Sequence, residues 1–208
     1  MRRRRAVTVL CGFLTFCAAC SHETQTLLEP GQALAIVLAE ETARFAGSKK
    51  QVAIISPDST WGPVSIVEEA FKKALKKRGF TPVDAKAASL GDPMRSGAVG
   101  LKGADFTETI QKFSAAGAVV SFAGAPLLGL GETGTAEQAH PPVLVVATAM
   151  LGNVPGVPGD RNQLDRLLKA NLIQLAVIDG AAPLPHPPTK ADSTHDLFAQ
   201  HFQILLAR

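Results

Sequence analysis

The sequence contains no tyrosine, one tryptophan and only three cysteines. Cys11, Cys17 and Cys20 all lie within the first twenty residues, so residues 21–208 hold no cysteine for a disulfide, a thiol nucleophile or a cysteine-ligated metal. Residues 1–19 in turn contain no acidic side chain. The extreme N-terminus is therefore chemically separate from the rest of the chain.

Positive charge is also concentrated at the N-terminus. The formal net charge is +3, but four of the 21 lysines and arginines are Arg2 to Arg5, which leaves 17 basic against 18 acidic residues, a net charge of −1. A body so close to neutrality lacks the basic excess that binding a phosphate backbone requires. We predict no nucleic-acid partner and, from a hydrophobic content of 46%, an ordinary globular core.

The first twenty residues have the pattern of an export signal. "MRRRR" followed by "AVTVLCGFLTFC" combines a cationic start with an apolar run that is too short to span a bilayer. "CAAC" places Ala18 and Ala19 before Cys20 and resembles a bacterial lipobox, in which the cysteine becomes the lipidated N-terminus; the usual leucine three residues earlier is Cys17 here. An ordinary secretory signal cleaved near Ala19 is the alternative.

These features predict a domain organisation and a location. We predict a lipoprotein signal peptide at residues 1–19, a lipidated anchor and spacer at 20–30, and one α/β domain at 31–208. The lipid on Cys20 would hold the protein to a membrane of the bacterial cell envelope, on the periplasmic side of the inner or the outer membrane. Several acyl chains on one cysteine suffice for stable anchoring.

The body alternates apolar runs with segments of helical periodicity. "QVAIIS", "AVVSFAG", "PPVLVVATA" and "LIQLAVIDG" are apolar without alternation, as is typical of strands buried on both faces. Their alternation with helices of about ten to fifteen residues predicts a parallel sheet flanked by helices on both faces, in which ligands bind beyond the carboxyl ends of the strands.

Three local predictions concern the helices. Glu68 and Lys72, four residues apart like Glu69 and Lys73, predict a solvated helix face. Asp105 and Glu108 have the spacing of a capping box. Ser193 is predicted to open a last helix, which carries Leu197, Phe198, Phe202 and Leu205.

Several stretches resemble the second lobe of type I periplasmic binding proteins, in the Leu/Ile/Val-binding branch of solute receptors. The resemblance runs from about Pro30 to the C-terminus. It is carried by "KKQVAIISPDSTWGPVSIVEEAFKKALKKRGF", by "DFTETIQKFSAAGAVVSFAGAP" and by "STHDLFAQHFQILL". It implies a non-enzymatic protein without a cofactor, which binds a small molecule and works with an ABC transporter.

The resemblance also implies site residues. The aromatic residue that covers the ligand in those receptors falls on Trp61, in a loop with Asp58, Ser59 and Gly62; two further cleft positions fall on Ala125 and Ala149. Alanine cannot pair a buried charge. The alternative prediction is therefore a degenerate ligand site whose surface docks a protein partner. Because the resemblance covers one lobe, either another protein or a second copy supplies the other, or the chain works without a second lobe.

Other constellations predict no chemistry. His186, Asp192, His195, Asp196 and His201 gather near the C-terminus, but no two of these histidines are three or four residues apart, as helical metal ligands would be, so we predict no metal site. "GLGETG" is not followed by a helix that would bind a phosphate and is predicted to be a loop. The body has no G-x-S-x-G and no H-E-x-x-H, and we predict no enzyme activity.

Overall fold

A computed structural model describes residues 17–58, 65–88, 100–129, 140–151, 161–180 and 193–207, with only the backbone for residues 17–28 and 150. The helices are α1 (Cys17–Ala46), α2 (Ile66–Lys77), α3 (Gly103–Lys112), α4 (Arg161–Lys169) and α5 (Thr194–His201), with a 3-10 turn at Ala149–Leu151. The strands are β1 (Gln51–Pro57), β2 (Thr81–Ala88), β3 (Leu101–Lys102), β4 (Ala118–Ser121), β5 (Pro126–Leu127), β6 (Val143–Ala147), β7 (Leu175–Asp179) and β8 (Phe202–Leu206).

The described strands form a mostly parallel sheet of six, in the order β2-β1-β4-β6-β7-β8. Every neighbouring pair is parallel except β7 and β8, which are antiparallel. β3 and β5 form a separate two-stranded parallel sheet. The predicted α/β class is confirmed, as is each of the four apolar strands.

Helices cover both faces of the six-stranded sheet, as predicted. Alternate residues of the buried strands enter two hydrophobic clusters: Val52 and Ile54 of β1 join a cluster with α1, α2 and α5, whereas Ala53 and Ile55 join a cluster with α3 and α4. Because both faces are covered, the central strands are apolar throughout, which explains why their sequences do not alternate.

α1 is longer than its sequence pattern indicates. Helical periodicity is visible from Ala33 onward, but the helix begins at Cys17, so residues 20–30, predicted as a spacer, have helical backbone. Pro30 lies inside the helix and is buried, and Leu34 and Leu38 are fully buried. Within the described residues no helix combines the length and apolar character needed to cross a bilayer.

The C-terminal helix prediction is partly wrong. α5 spans only Thr194–His201, with Ser193 as its N-cap, and the chain then continues as β8. Phe202 and Leu205 are buried, but from the edge strand of the sheet. Apolar residues spaced four and three apart fit a helix face, and pairing with the open edge of β7 overrides that pattern because it satisfies the backbone of both strands.

A bulge in β2 directs its charges to opposite faces. The register shifts between Ile54, which pairs with Asp84, and Ile55, which pairs with Lys86, so Ala85 is an extra residue. Asp84 consequently contacts Lys72 of α2 on one face, while Lys86 contacts α3 on the other.

The predicted capping box of α3 is wrong, and the contact between Lys86 and α3 explains why. The helix begins at Gly103, and Lys102 is an N-cap without a side-chain hydrogen bond. The carboxylates of Asp105 and Glu108 instead each lie 3.1 Å from Lys86 Nζ. The hydrogen bonds that the Lys86 ammonium donates to Asp105 and Glu108 raise the pKa of Lys86 above its ordinary value of 10.5.

Candidate functional site

The carboxyl ends of β1, β4, β6 and β7 lie along one edge of the sheet, which we call the strand-end edge. From β1 the chain goes first to β2 on one side and then to β4 on the other, so β1 and β4 flank the point where the strand order reverses. In open α/β sheets the crevice at such a point is the usual place for a ligand. The described residues of this edge are 56–58, 121–125, 148–149 and 179.

At the end of β1, a buried carboxylate holds the strand to α2. Glu68 is 1% exposed, and its Oε1 accepts a hydrogen bond from the Ser56 hydroxyl at 2.7 Å. The same oxygen lies 2.7 Å from Lys72 Nζ, which also lies 2.6 Å from Asp84 Oδ1. The prediction of a solvated face is therefore wrong for Glu68, although Glu69 and Lys73 are exposed as expected.

The cluster of Ser56, Glu68, Lys72 and Asp84 is satisfied internally. Burial lowers the pKa of Lys72, but hydrogen bonds to Asp84 and Glu68 and the charges of these two carboxylates outweigh burial, so the net pKa lies above the ordinary value of 10.5. The ammonium group compensates the buried carboxylate. The arrangement fixes both ends of the segment that contains Trp61, since Ser56 precedes that segment and Glu68 follows it.

At the end of β4, the chain turns sharply away from the sheet. The Ser121 hydroxyl donates to the carbonyl oxygen of Gly124 at 2.7 Å, and Gly124 has a φ of +80°, which favours glycine. The turn delivers Ala125 into the hydrophobic cluster beside α3 and α4, where it is 7% exposed. The main-chain oxygen of Pro126 then accepts a hydrogen bond from Gln163 of α4.

β6 is followed by a buried hydroxyl, and β7 ends at an exposed carboxylate. Thr148 follows β6 and is 5% exposed, and its hydroxyl has no hydrogen-bond partner among the described residues. The next backbone N–H, that of Ala149, donates to Asp179 Oδ2 at 2.7 Å. Asp179, the last residue of β7, thus brings a carboxylate to the exposed Ala149.

The structure locates part of the predicted site. Asp58 and Ala149 both lie on the strand-end edge, and the Asp58 N–H donates to the carbonyl oxygen of Ala88 at 2.9 Å. Ala125 lies at the same edge, with its side chain in the core. Ser59, Trp61 and Gly62 lie outside the described residues, and Cys20 is described only as part of the α1 backbone.

Sequence reasoning missed Thr148, Asp179 and Glu68. The signal for the first two was available, because each is the polar residue at the end of an apolar strand. Glu68 carried no such signal, since a glutamate four residues before a lysine is typical of an exposed helix. Glu68 is buried because the end of β1 lies against it, and the periodicity of the helix sequence carries no information about that tertiary contact.

Among the described residues, no group of metal-ligating side chains could hold a metal ion. His195 Nε2 lies 2.9 Å from Glu40 Oε2, and Glu40 Oε1 lies 2.6 Å from Arg78. Glu40 thereby connects α1 to the ends of α2 and α5. Asp196 accepts a hydrogen bond from the Ser193 hydroxyl at 2.8 Å. His186 and Asp192 are outside the described part of the chain.

Two comparisons with known proteins give no assignment. No protein-family model matches the sequence. The search of curated proteins likewise finds no match. The α/β fold is consistent with one lobe of a type I periplasmic binding protein, and the family resemblance itself stays a prediction from the sequence.

Proposed function

We propose that this chain is a lipid-anchored, non-enzymatic protein of the bacterial cell envelope that binds a small molecule at its strand-end edge and serves an ABC transporter. The observation that carries the binding site is the Thr148 hydroxyl, which is buried without a partner in the described residues at the end of β6. An unpaired buried hydroxyl costs about 1–3 kcal/mol. A ligand that hydrogen-bonds to it would offset this cost.

The surroundings of Thr148 support a polar ligand. The strand-end edge also carries Asp58 at the end of β1 and Asp179 at the end of β7, whose Oδ2 accepts a hydrogen bond from the Ala149 N–H. A hydroxyl both donates and accepts, and carboxylates accept. The edge therefore suits a small molecule that carries hydroxyl, amide or amino groups.

Trp61 offers a direct test, because the chain has no tyrosine and one tryptophan. Residues 21–208 would be titrated with amino acids, amides, aromatic acids and sugars while tryptophan emission and melting temperature are followed. We expect a saturable emission shift with a raised melting temperature for one class. Thr148→Val should abolish both effects.

The matched control is Thr42→Val. Thr42 is equally buried, but its hydroxyl donates to the carbonyl oxygen of Leu38 at 2.7 Å within α1. This variant should bind the ligand as the wild type does. Binding that survives Thr148→Val unchanged would contradict the proposed site.

A second candidate function is docking of a protein, and exposed apolar residues favour it. Ile66, the first residue of α2, is 61% exposed, and Leu127 of β5 is 38% exposed. Both follow strands whose carboxyl ends form the strand-end edge. A second copy bound there would supply the missing lobe. Sedimentation velocity would then show a dimer that Ile66→Ser converts to a monomer, whereas a monomeric wild type excludes this arrangement.

A further inference from the structure

We propose that α1 is a rigid stalk that turns the strand-end edge toward the membrane and the opposite edge of the sheet away from it. The inference rests on the proposed lipid anchor at Cys20, and it adds an orientation that the anchor alone does not impose. A ligand or a transporter would then meet the site from the membrane side.

The direction of α1 follows from its connection to the sheet. α1 ends at Ala46, and β1 begins at Gln51 after a tight turn in which Gly47 has a φ of +58°. The Gly47 N–H donates to the carbonyl oxygen of Ala43, and Gly117 N–H donates to Gln51. The end of α1 therefore lies at the edge where the strands start. Its packed part runs back along the sheet, so its N-terminal part points toward the strand-end edge.

The length of α1 carries Cys20 past that edge. The packed part, from Pro30 to Ala46, spans about 25 Å at the helical rise of about 1.5 Å per residue. β1 spans about 23 Å at about 3.3 Å per residue. Pro30 is therefore nearly level with the strand ends. Cys20 precedes Pro30 by ten residues of helical backbone, which is about 15 Å of helix length.

The opposite edge of the sheet carries a uniform positive charge, and we call it the basic edge. Residues 46–51, 76–81, 111–118 and 169–175 include no acidic side chain. Its exposed lysines are Lys49, Lys50, Lys76, Lys77, Lys112 and Lys169. Lysines in the last turns of α2, α3 and α4 also complement the helix dipoles.

The attraction of the lysines to anionic lipid and the length of the stalk therefore favour opposite orientations of the domain on the membrane. Lysines close to an anionic bilayer are attracted to it, which would draw the basic edge to the membrane. That attraction decays within a Debye length of about 10 Å. If the stalk is upright, the basic edge lies about 40 Å from the bilayer, the sum of the stalk and the strand length. Attraction at that distance is screened, so the stalk decides the orientation.

Energy transfer to the bilayer surface tests this orientation. The body has no cysteine, so the mature lipoprotein would be labelled at a single introduced thiol, either Ala149→Cys at the strand-end edge or Ser48→Cys beside the basic edge. Both positions are exposed. After reconstitution into neutral vesicles with an acceptor on the lipid headgroups, we expect higher transfer from position 149 than from position 48. Equal transfer, or higher transfer from position 48, would overturn the proposal.

A variant with a flexible stalk tests whether α1 causes the difference in energy transfer between the two positions. Residues 22–28 would be replaced by glycine and serine, which leaves Cys20 and the packed part of α1 intact. We expect the difference between the two positions to vanish in neutral vesicles and to reverse when anionic lipid is added. A difference that persists in this variant would show that α1 does not orient the domain.

The anchor is checked separately by flotation. If the wild-type chain fails to float with the vesicles and transfers no energy from either position, the lipid anchor is wrong and the orientation falls with it. If the chain floats but the transfer pattern is the reverse of that expected, the anchor stands and only the orientation is overturned.

Discussion

The Ser56 hydroxyl donates a 2.7 Å hydrogen bond to the buried Glu68 carboxylate, which joins the end of β1 to the first turn of α2. Glu68→Gln keeps the shape of the side chain and removes the charge that Lys72 pairs with. We expect the free energy of unfolding to fall by about 1–2 kcal/mol, because hydrogen bonds to a charged group contribute about 1.5–3 kcal/mol and neutral ones about 0.5–1.5 kcal/mol. Urea unfolding measures this change.

The neighbouring Glu69→Gln is the matched control for that experiment. Glu69 is exposed on the same helical turn, and exposed substitutions usually change stability by about 0.5 kcal/mol or less. Equal effects of the two substitutions would show that Glu68 is not held in a buried ion pair.

Alkaline pH should destabilise the fold through Lys72. Its pKa in the folded protein lies above the ordinary value of 10.5, so the ammonium group stabilises the fold fully below that value and the contribution is lost as the pH rises through the raised pKa. Lys72→Met should lower stability at neutral pH and flatten the alkaline loss. Thermal melts across this range, with the exposed Lys73→Met as the control, would measure it. A variant that keeps the full alkaline loss would contradict the assignment.

Thr148→Val is expected to stabilise the ligand-free protein by about 1 kcal/mol, because it removes a buried hydroxyl that has no partner in the described structure. Thr42→Val should have the opposite sign, since it removes a hydroxyl that is hydrogen-bonded. Chemical denaturation of both variants measures the two signs. Destabilisation by Thr148→Val comparable to that of Thr42→Val would mean that the Thr148 hydroxyl is satisfied.

Gly117→Ala should disrupt the junction between α1 and β1. A Cβ at this position would lie 2.6 Å from the main-chain oxygen of Lys49 and 2.8 Å from Ala46 Cβ, so the backbone must move. Overpacking of this kind costs about 1–3 kcal/mol.

Gly79→Ala provides the comparison. It adds a methyl group with no atom within 4 Å at a φ of +77°, and its cost is the backbone strain alone, about 1 kcal/mol. The midpoint of urea unfolding should therefore fall further for Gly117→Ala. The reverse order would argue against the close approach at Gly117.

The architecture was predictable because its main signals are local. Each of β1, β4, β6 and β7 is an apolar run, and the helices between them show their own periodicity, so a covered parallel sheet follows. β8 was not predictable in this way. Phe198 and Phe202 have helical spacing, and their rings do contact at a centroid distance of 5.4 Å, but from a helix and a strand. The spacing of these residues is compatible with a helix and with a strand, and residues 202–206 form a strand because they pair with the free edge of β7.

The ends of the strands were predictable from the sequence, whereas the contacts between them were not. Strand ends could be read from the sequence, which placed Asp58 and Ala149 correctly on one edge. The hydrogen-bond partners of these residues lie on other strands, so they depend on how the strands are arranged in the sheet. Asp179 reaches the N–H of Ala149 from the neighbouring strand, and no spacing in the sequence encodes that contact.

The bulge at Ala85 also limits how molecules can associate through their sheets. An incoming strand at the free edge of β2 would meet a break in register and a charged residue directed to either face, Asp84 or Lys86. The other edge strand, Phe202–Leu206, has no charged side chain. Among the described strands of the six-stranded sheet, β8 is therefore the edge better suited to pairing with another molecule. Two molecules that pair through β8 form a closed pair, in which each β8 edge is occupied by the other molecule.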